Sequence, residues 1–144
     1  MKIENFEVRQ HDLLCSSDVA KLDINYIHKN LLKQYWAVNI PLERLQKSMA
    51  NSICYGLYKD GSQIGFARVV TDYSQEALLT DVFIDEKHQR SGYGKFLVRC
   101  ILESSITKDC HRWLLLTKDA HHFYNKFGFN NSDFAMFKLL DSGF

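Results

Sequence analysis

Apolar positions recur along this chain with two different periods, and each period predicts a kind of element. Residues 6–10, "FEVRQ", alternate weakly, as a first strand would. Over residues 18–36, Leu22, Tyr26, Ile27, Leu31 and Tyr35 return at helical spacing, with Asp18 or Asp23 placed to cap the start. Pro41, the only proline, suits the first turn of a second short helix ending near Met49. "ICYGLYKDGSQIGFARVV" then reads as two strands joined at Asp60-Gly61, a dipeptide that accepts the positive φ of a tight hairpin. "TDYSQE" forms the next turn. Residues 77–84 are apolar on both alternating faces except at Thr80 and Asp81, the pattern of a strand covered on both sides. From 92 to 106, Tyr93, Phe96, Leu97, Cys100 and Ile101 make an apolar stripe opposite Lys95, Arg99 and Glu103. "RWLLL" predicts a further buried strand, Asp119 a cap for a short helix through Lys126, and "AMFKLL" a last strand.

The order is strand, two helices, a three-strand meander, helix, strand, helix, strand. The step from residues 77–84 through the helix to "RWLLL" has the form of a right-handed crossover, which makes those two strands parallel. Ligands in such sheets sit at the carboxyl ends of strands, against helix N-termini. At that place stands "QRSGYGK", with Gly92 and Gly94 one residue apart. A glycine in a helix costs ~1 kcal/mol relative to alanine, so the pair does not serve the helix itself. Unpaired N–H groups and a positive dipole at a helix opening suit a phosphate, and glycine removes the Cβ from its path. The backbone of Arg90 to Lys95 is the candidate cradle, with the side chains of Gln89, Arg90 and Lys95 within reach. A helix opening whose glycines serve close packing is the plainer alternative. Two familiar phosphate loops fail here. Lys95 is followed by Phe96 where a P-loop needs Ser or Thr, and Leu97 stands where the dinucleotide fingerprint needs its third glycine.

The chain's 144 residues suit one domain, 1–144, with a real core. A net charge of +1 offers no electrostatic argument for nucleic acid or an anionic membrane. No apolar run is long enough to span a bilayer and no signal-peptide pattern opens the sequence, so a cytoplasmic location is expected. The four cysteines form no CxxC pair and have no histidine at ligand spacing, which points to reduced, buried thiols and no metal.

Two blocks carry a resemblance. "VFIDEKHQRSGYGK", from Val82, resembles motif A of the GNAT acetyltransferase superfamily, [QR]-x-x-G-x-[GA] after an apolar strand. "TKDAHHFYNKFGF", from Thr117, is similar to that superfamily's later motif, N-x-x-A-x-x-[FL]-Y-x-[KR]-x-G-F. They come in family order with room between for one helix and one strand, and the earlier segments fit the family layout, so the likeness spans essentially the whole chain. It implies an α/β (α+β) fold, a mixed and mostly antiparallel central sheet with helices on both faces. It implies acetyl-CoA as donor and a small-molecule or peptide amine as acceptor, with a homodimer open to it. It assigns the backbone of Val82, Phe83 and Ile84 to the pantetheine arm and the loop Gln89, Arg90, Ser91, Gly92, Tyr93, Gly94 and Lys95 to the pyrophosphate. Glu86 departs from a common proline, Arg90 from a frequent glycine, and Thr117 from the usual asparagine that contacts the cofactor.

Acetyl transfer to nitrogen needs a neutral amine, donors for the oxyanion and a proton for the thiolate. Tyr124 aligns with the tyrosine that the family uses as proton source; by spacing alone it is an aromatic on an amphipathic helix. An N–H of residues 82–84 is the natural oxyanion donor. Asp81, a carboxylate within an apolar strand, must be partnered or functional, either meeting the acceptor amine through water or bonding nearby backbone. Glu76, His121 and His122 are weaker candidates for the base. Tyr26, Tyr35 and Trp36 are expected to wall the acceptor pocket, and Arg68 to meet an acceptor carboxylate, although aromatics at helical spacing are mostly core. A non-catalytic acyl-CoA sensor is the alternative.

Overall fold

A computed structural model describes residues 3–140. Six strands form one sheet whose spatial order follows the chain: β1 (Glu7–Gln10), β2 (Leu13–Ser16), β3 (Ile53–Lys59), β4 (Ser62–Thr71), β5 (Glu76–Ile84) and β6 (Arg112–Leu114). Successive strands pair antiparallel as far as β5, whereas β6 runs parallel to β5, because the chain returns to it through a helix, α3 (Tyr93–Glu103). α1 (Ile24–Leu31) and α2 (Leu42–Ala50) lie between β2 and β3 in sequence, and α4 (His121–Asn125) follows β6. This is the α/β architecture expected, mixed and mostly antiparallel.

Alternation along β3 divides the apolar side chains between two cores. Ile53, Tyr55 and Leu57 join Leu97, Val98 and Ile101 of α3, while Cys54 joins Ile27 and Leu31 of α1 and Leu45 of α2. The helices therefore cover opposite faces of the sheet. β5 changes face part-way. Ala77 and Leu79 belong to the α3 core, yet Phe83 belongs to the core under α1 and α2. In an unbroken strand those odd positions would share a face. The switch falls at Asp81, whose φ is +55°, where the register with β4 slips by one between Phe66 and Arg68. An extra residue in one strand is a β-bulge, and Asp tolerates the left-handed conformation better than most side chains.

Several expectations are corrected. Residues 18–36 are not one helix. Asp18 accepts the Ala20 N–H and caps a three-residue turn, Val19–Lys21, and Asp23 then accepts the Tyr26 N–H and starts α1 afresh. A capping aspartate holds non-helical backbone, so two of them five residues apart break a run that periodicity reads as continuous. α1 stops at Leu31, and residues 32–40 form turns. β2, four residues of "LLCS", carries no period-two signal and was not expected; a turn at His11, with φ +55°, folds it onto β1. The strand over "RWLLL" ends at Leu114, and α3 ends at Glu103 rather than 106. α4 is capped at Ala120, whose N–H is taken by Thr117 Oγ1, and Asp119 does not cap it. "AMFKLL" has no ladder partner among the described residues and lies exposed. No described helix is long and apolar enough to cross a membrane.

Candidate active site

β5 and β6 pair over only three positions, the last being Leu78 with Leu114. Beyond it β5 continues for six residues with no described strand on that side, and the sheet splays open. A cleft of about 430 Å³ occupies the gap. Tyr35 and Trp36 reach it from the turns after α1, Arg44 and Ser48 from α2, and Arg68 from β4. Asp81 and Val82 border it from β5, and Leu115 to Thr117 and Tyr124 close the far side.

The bulge is what delivers Asp81 to this cleft. Its buried carboxylate accepts two hydrogen bonds: Oδ1 from the Trp36 indole N–H at 3.0 Å and Oδ2 from Arg68 Nε at 2.8 Å. Arg68 also donates from Nη1 to Ser52 Oγ at 3.0 Å. A buried carboxylate needs such partners, and here they fix its direction as well as offset its desolvation. One lone pair on each oxygen is left for the cleft. Trp36 in turn meets the Tyr35 ring edge-on, with centroids 5.1 Å apart, and Tyr35 Oη accepts the Lys118 N–H at 2.8 Å. The aromatic wall is thus tied both to β5 and to the loop before α4.

Tyr124 sits on α4 against Phe123 and Phe129. Burial, with a smaller contribution from the Tyr35 phenol, pushes its pKa up to about 12, so near neutrality it carries its proton. No cysteine lines the cleft among the described residues. Cys54, beneath Arg68 and Asp81, is pushed up to about 12 by burial and stays a thiol.

At the outer end of β5, the chain turns through Arg90 (φ +66°) and Gly92 (φ +81°) into α3. Gly92 is the N-cap and has no side chain to cap with; a Cβ there would meet nothing within 4 Å. Among the described residues no hydrogen bond takes the N–H of Ser91, Gly92, Tyr93, Gly94 or Lys95. The mouth of α3 therefore offers consecutive free donors, with open space beside Gly92, at the positive end of an eleven-residue helix. Gln89 Nε2 donates to the Ile84 carbonyl at 2.9 Å and ties this loop to the end of β5.

The sequence profile of the Acetyltransferase (GNAT) family matches residues 24–129. The chain belongs to the GNAT family. A candidate acetyltransferase of Gibberella zeae is 31% identical over 137 residues, covering 80% of this chain and 77% of its own length. The structure of a candidate GNAT acetyltransferase from Xanthomonas campestris pv. campestris superposes with a TM-score of 0.84 at 36% identity, covering 89% of this chain and 93% of that one. A GNAT family acetyltransferase from Elizabethkingia anophelis with acetyl-CoA bound shares the fold at 17% identity, TM-score 0.68, covering 86% of this chain and 80% of that one.

In this GNAT chain the cleft brings together Tyr35, Trp36, Arg68, Asp81, Val82, Thr117 and Tyr124 of the residues singled out from sequence. Tyr26 is not among its lining residues. Its hydroxyl donates to Asp85 Oδ2 at 2.8 Å and its ring packs on Phe83, whose own side chain is core. Arg68, expected to meet an acceptor carboxylate, instead holds Asp81. Gly94 was expected to clear space for a phosphate, but a Cβ there would point at Ile84 and Phe123 in ordinary contact at 3.7 Å. Sequence reasoning missed Arg44 and Ser48, which share one face of α2 at a spacing of four, and it had no signal saying which way that face looks.

Proposed function

We propose that this GNAT protein transfers an acetyl group from acetyl-CoA to a primary amine of a small molecule or peptide, by direct attack within a ternary complex. One observation carries the reading. The unpaired edge of β5 leads from the free amides at the mouth of α3 into a cleft that holds both a protonated tyrosine and an oriented carboxylate.

The α3 amides suit a diphosphate, and the open side of Gly92 leaves it room. Backbone groups of Val82 and Ile84 suit an extended amide-bearing arm, which would lie along β5 as an added strand does. Acetyl-CoA supplies the activated thioester. Asp81 attracts the acceptor amine and accepts one of its hydrogens, directly or through water. An N–H of residues 82–84 stabilises the carbonyl oxygen as it gains charge. When the C–N bond forms and the C–S bond breaks, the Tyr124 phenol gives its proton to the departing sulfur. The absence of a cysteine from the described lining, and the protonated state of Cys54, favour direct attack over an acetyl-cysteine route.

The test is release of free CoA from acetyl-CoA with a panel of polyamines, amino acids, aminoglycosides and lysine peptides. Amine-dependent release with one acceptor class is the expected result. Tight acetyl-CoA binding with no turnover on any amine overturns transfer and leaves a sensor.

A further inference from the structure

Acetyl transfer draws on the β5 and α4 sides of the cleft and leaves the α2 wall without a task. Ile40, just before that helix, and Arg44 and Ser48 within it border the cleft at a spacing of four, as residues on one helix face do. Leu45 turns the other way into the core, and the charged neighbours Glu43 and Lys47 do not line the cleft. Of the charged side chains of α2, only Arg44 is presented there. Ser48 Oγ donates to the Leu45 carbonyl at 2.8 Å, so what it has left for the cleft is lone pairs.

Among the described residues, four charged side chains border the cleft: Arg44, Arg68, Asp81 and Asp119. Two of them answer each other. Arg68 Nε meets Asp81 Oδ2 at 2.8 Å, and its Nη1 goes to Ser52 Oγ. The Arg44 guanidinium and the Asp119 carboxylate have no ion pair and no hydrogen bond among the described residues. Both are exposed, and they stand on different walls, Arg44 on α2 and Asp119 in the loop before α4. The cleft therefore has a cationic wall with no counter-charge of its own, apart from the carboxylate that β5 aims into it. Apolar side chains such as Ile40, Leu79 and Leu115 make up much of the remaining lining. Charge of both signs, held apart, is complementary to a small molecule that carries both.

We infer that the acceptor bears a carboxylate as well as its amine, and that Arg44 is the residue that selects it. A guanidinium gives two parallel N–H groups to a carboxylate, a match that neither a carboxamide nor an ammonium group offers in return. With the carboxylate on the α2 wall, the acceptor's nitrogen falls to the anionic side, toward Asp81. A polyamine or an aminoglycoside instead sets a further ammonium group against Arg44, and like charges brought together count against it. The acceptor class is thus the free amino acids. The fate of their amine rests on the acetyl-transfer reading; the contact with Arg44 does not.

Matched acceptors test this: leucine, phenylalanine and γ-aminobutyrate, each beside its own carboxamide. The carboxamide is the less basic amine and is more often neutral, so basicity alone favours it. In at least one pair the acid is expected to have the higher kcat/KM by about tenfold, and Arg44→Gln to reduce that advantage to about twofold or less. Equal values in every pair overturn the inference and leave acetyl transfer standing. So does an advantage that survives Arg44→Gln, or one that survives while the acetyl-CoA Kd rises, which would give Arg44 to the donor. If no amine is turned over at all, the transfer reading fails and calorimetry on the CoA-loaded protein decides. A heat of binding for the acids that Arg44→Gln loses supports the carboxylate site. No heat, or a heat that the substitution leaves unchanged, overturns it.

Discussion

The proposed transfer gives Tyr124 and Asp81 opposite tasks, and their surroundings are opposite too. Burial holds the Tyr124 proton on, whereas Asp81 is surrounded by donors suited to its anion. Tyr124→Phe keeps the ring and removes the proton, so kcat is expected to fall about a hundredfold while the acetyl-CoA Kd stays within about twofold. Stopped-flow turnover beside calorimetric titration separates the two; an unchanged kcat would mean that solvent protonates the sulfur. The pH dependence has a definite sign. A free phenol loses its proton near pH 10, but this one keeps it until the pH nears 12, so rising alkalinity does not remove the donor below about pH 11. An alkaline loss of kcat that begins near pH 9 and is absent from Tyr124→Phe would contradict this. For Asp81 the informative change is Asp81→Asn, because Asn also tolerates the left-handed backbone and isolates the charge. It leaves the mostly buried Arg68 guanidinium without its counter-charge, with only neutral acceptors such as Ser52 Oγ. A loss of ~2–3 kcal/mol on denaturant unfolding is expected, with kcat/KM lowered at least tenfold.

At the scale of elements, the proposed function makes the opening of α3 the place where the donor is held. Ala and Glu at position 92 suffer the same backbone strain, since φ there is +81°, and should each cost ~1–2 kcal/mol of stability. Only Gly92→Glu adds a negative charge where the free amides point. Acetyl-CoA affinity is therefore expected to be at least about tenfold weaker in Gly92→Glu than in Gly92→Ala, a gap of ~1.4 kcal/mol. Equal affinities by calorimetry would remove the anion site. The same element shows what could be read in advance. The Asp60-Gly61 hairpin and the turn at Gly92 were legible because each depends on local backbone chemistry, and the crossover through α3 because an apolar run, a helical stripe and a second apolar run follow one another. The bulge at Asp81 was not, since a strand that changes face leaves the apolar run "ALLTDVFI" looking like any doubly covered strand. Nor was the break at Asp23, where capping overrode a helical period. Tyr26 and Tyr35 looked alike in that period, but the end of α1 at Leu31 sends one to the core and the other, through turns, to the cleft.

At the scale of the molecule, the splay between β5 and β6 is an unfinished part of the sheet. β5 has six positions without a described strand on that side, and the helix that ought to brace the gap is five-residue α4, held to the rest by Tyr35 Oη on Lys118 and by Phe123, Tyr124 and Phe127 packing on the α3 core. A ligand that lies along β5 and ends on the α3 amides supplies the missing strand and joins the two halves of the sheet. Binding only to the folded chain stabilises it by RT ln(1 + [L]/Kd), about 2.7 kcal/mol when the ligand stands at a hundredfold its Kd. For a chain of this length that raises Tm by roughly 5–15 °C. The expected result of differential scanning fluorimetry is therefore a rise in Tm that climbs with the logarithm of CoA concentration. ATP is expected to produce no comparable shift, since it presents phosphates to α3 but has no arm to lie along β5. A shift from ATP equal to that from CoA would mean that the α3 mouth acts alone and that the splayed edge holds nothing.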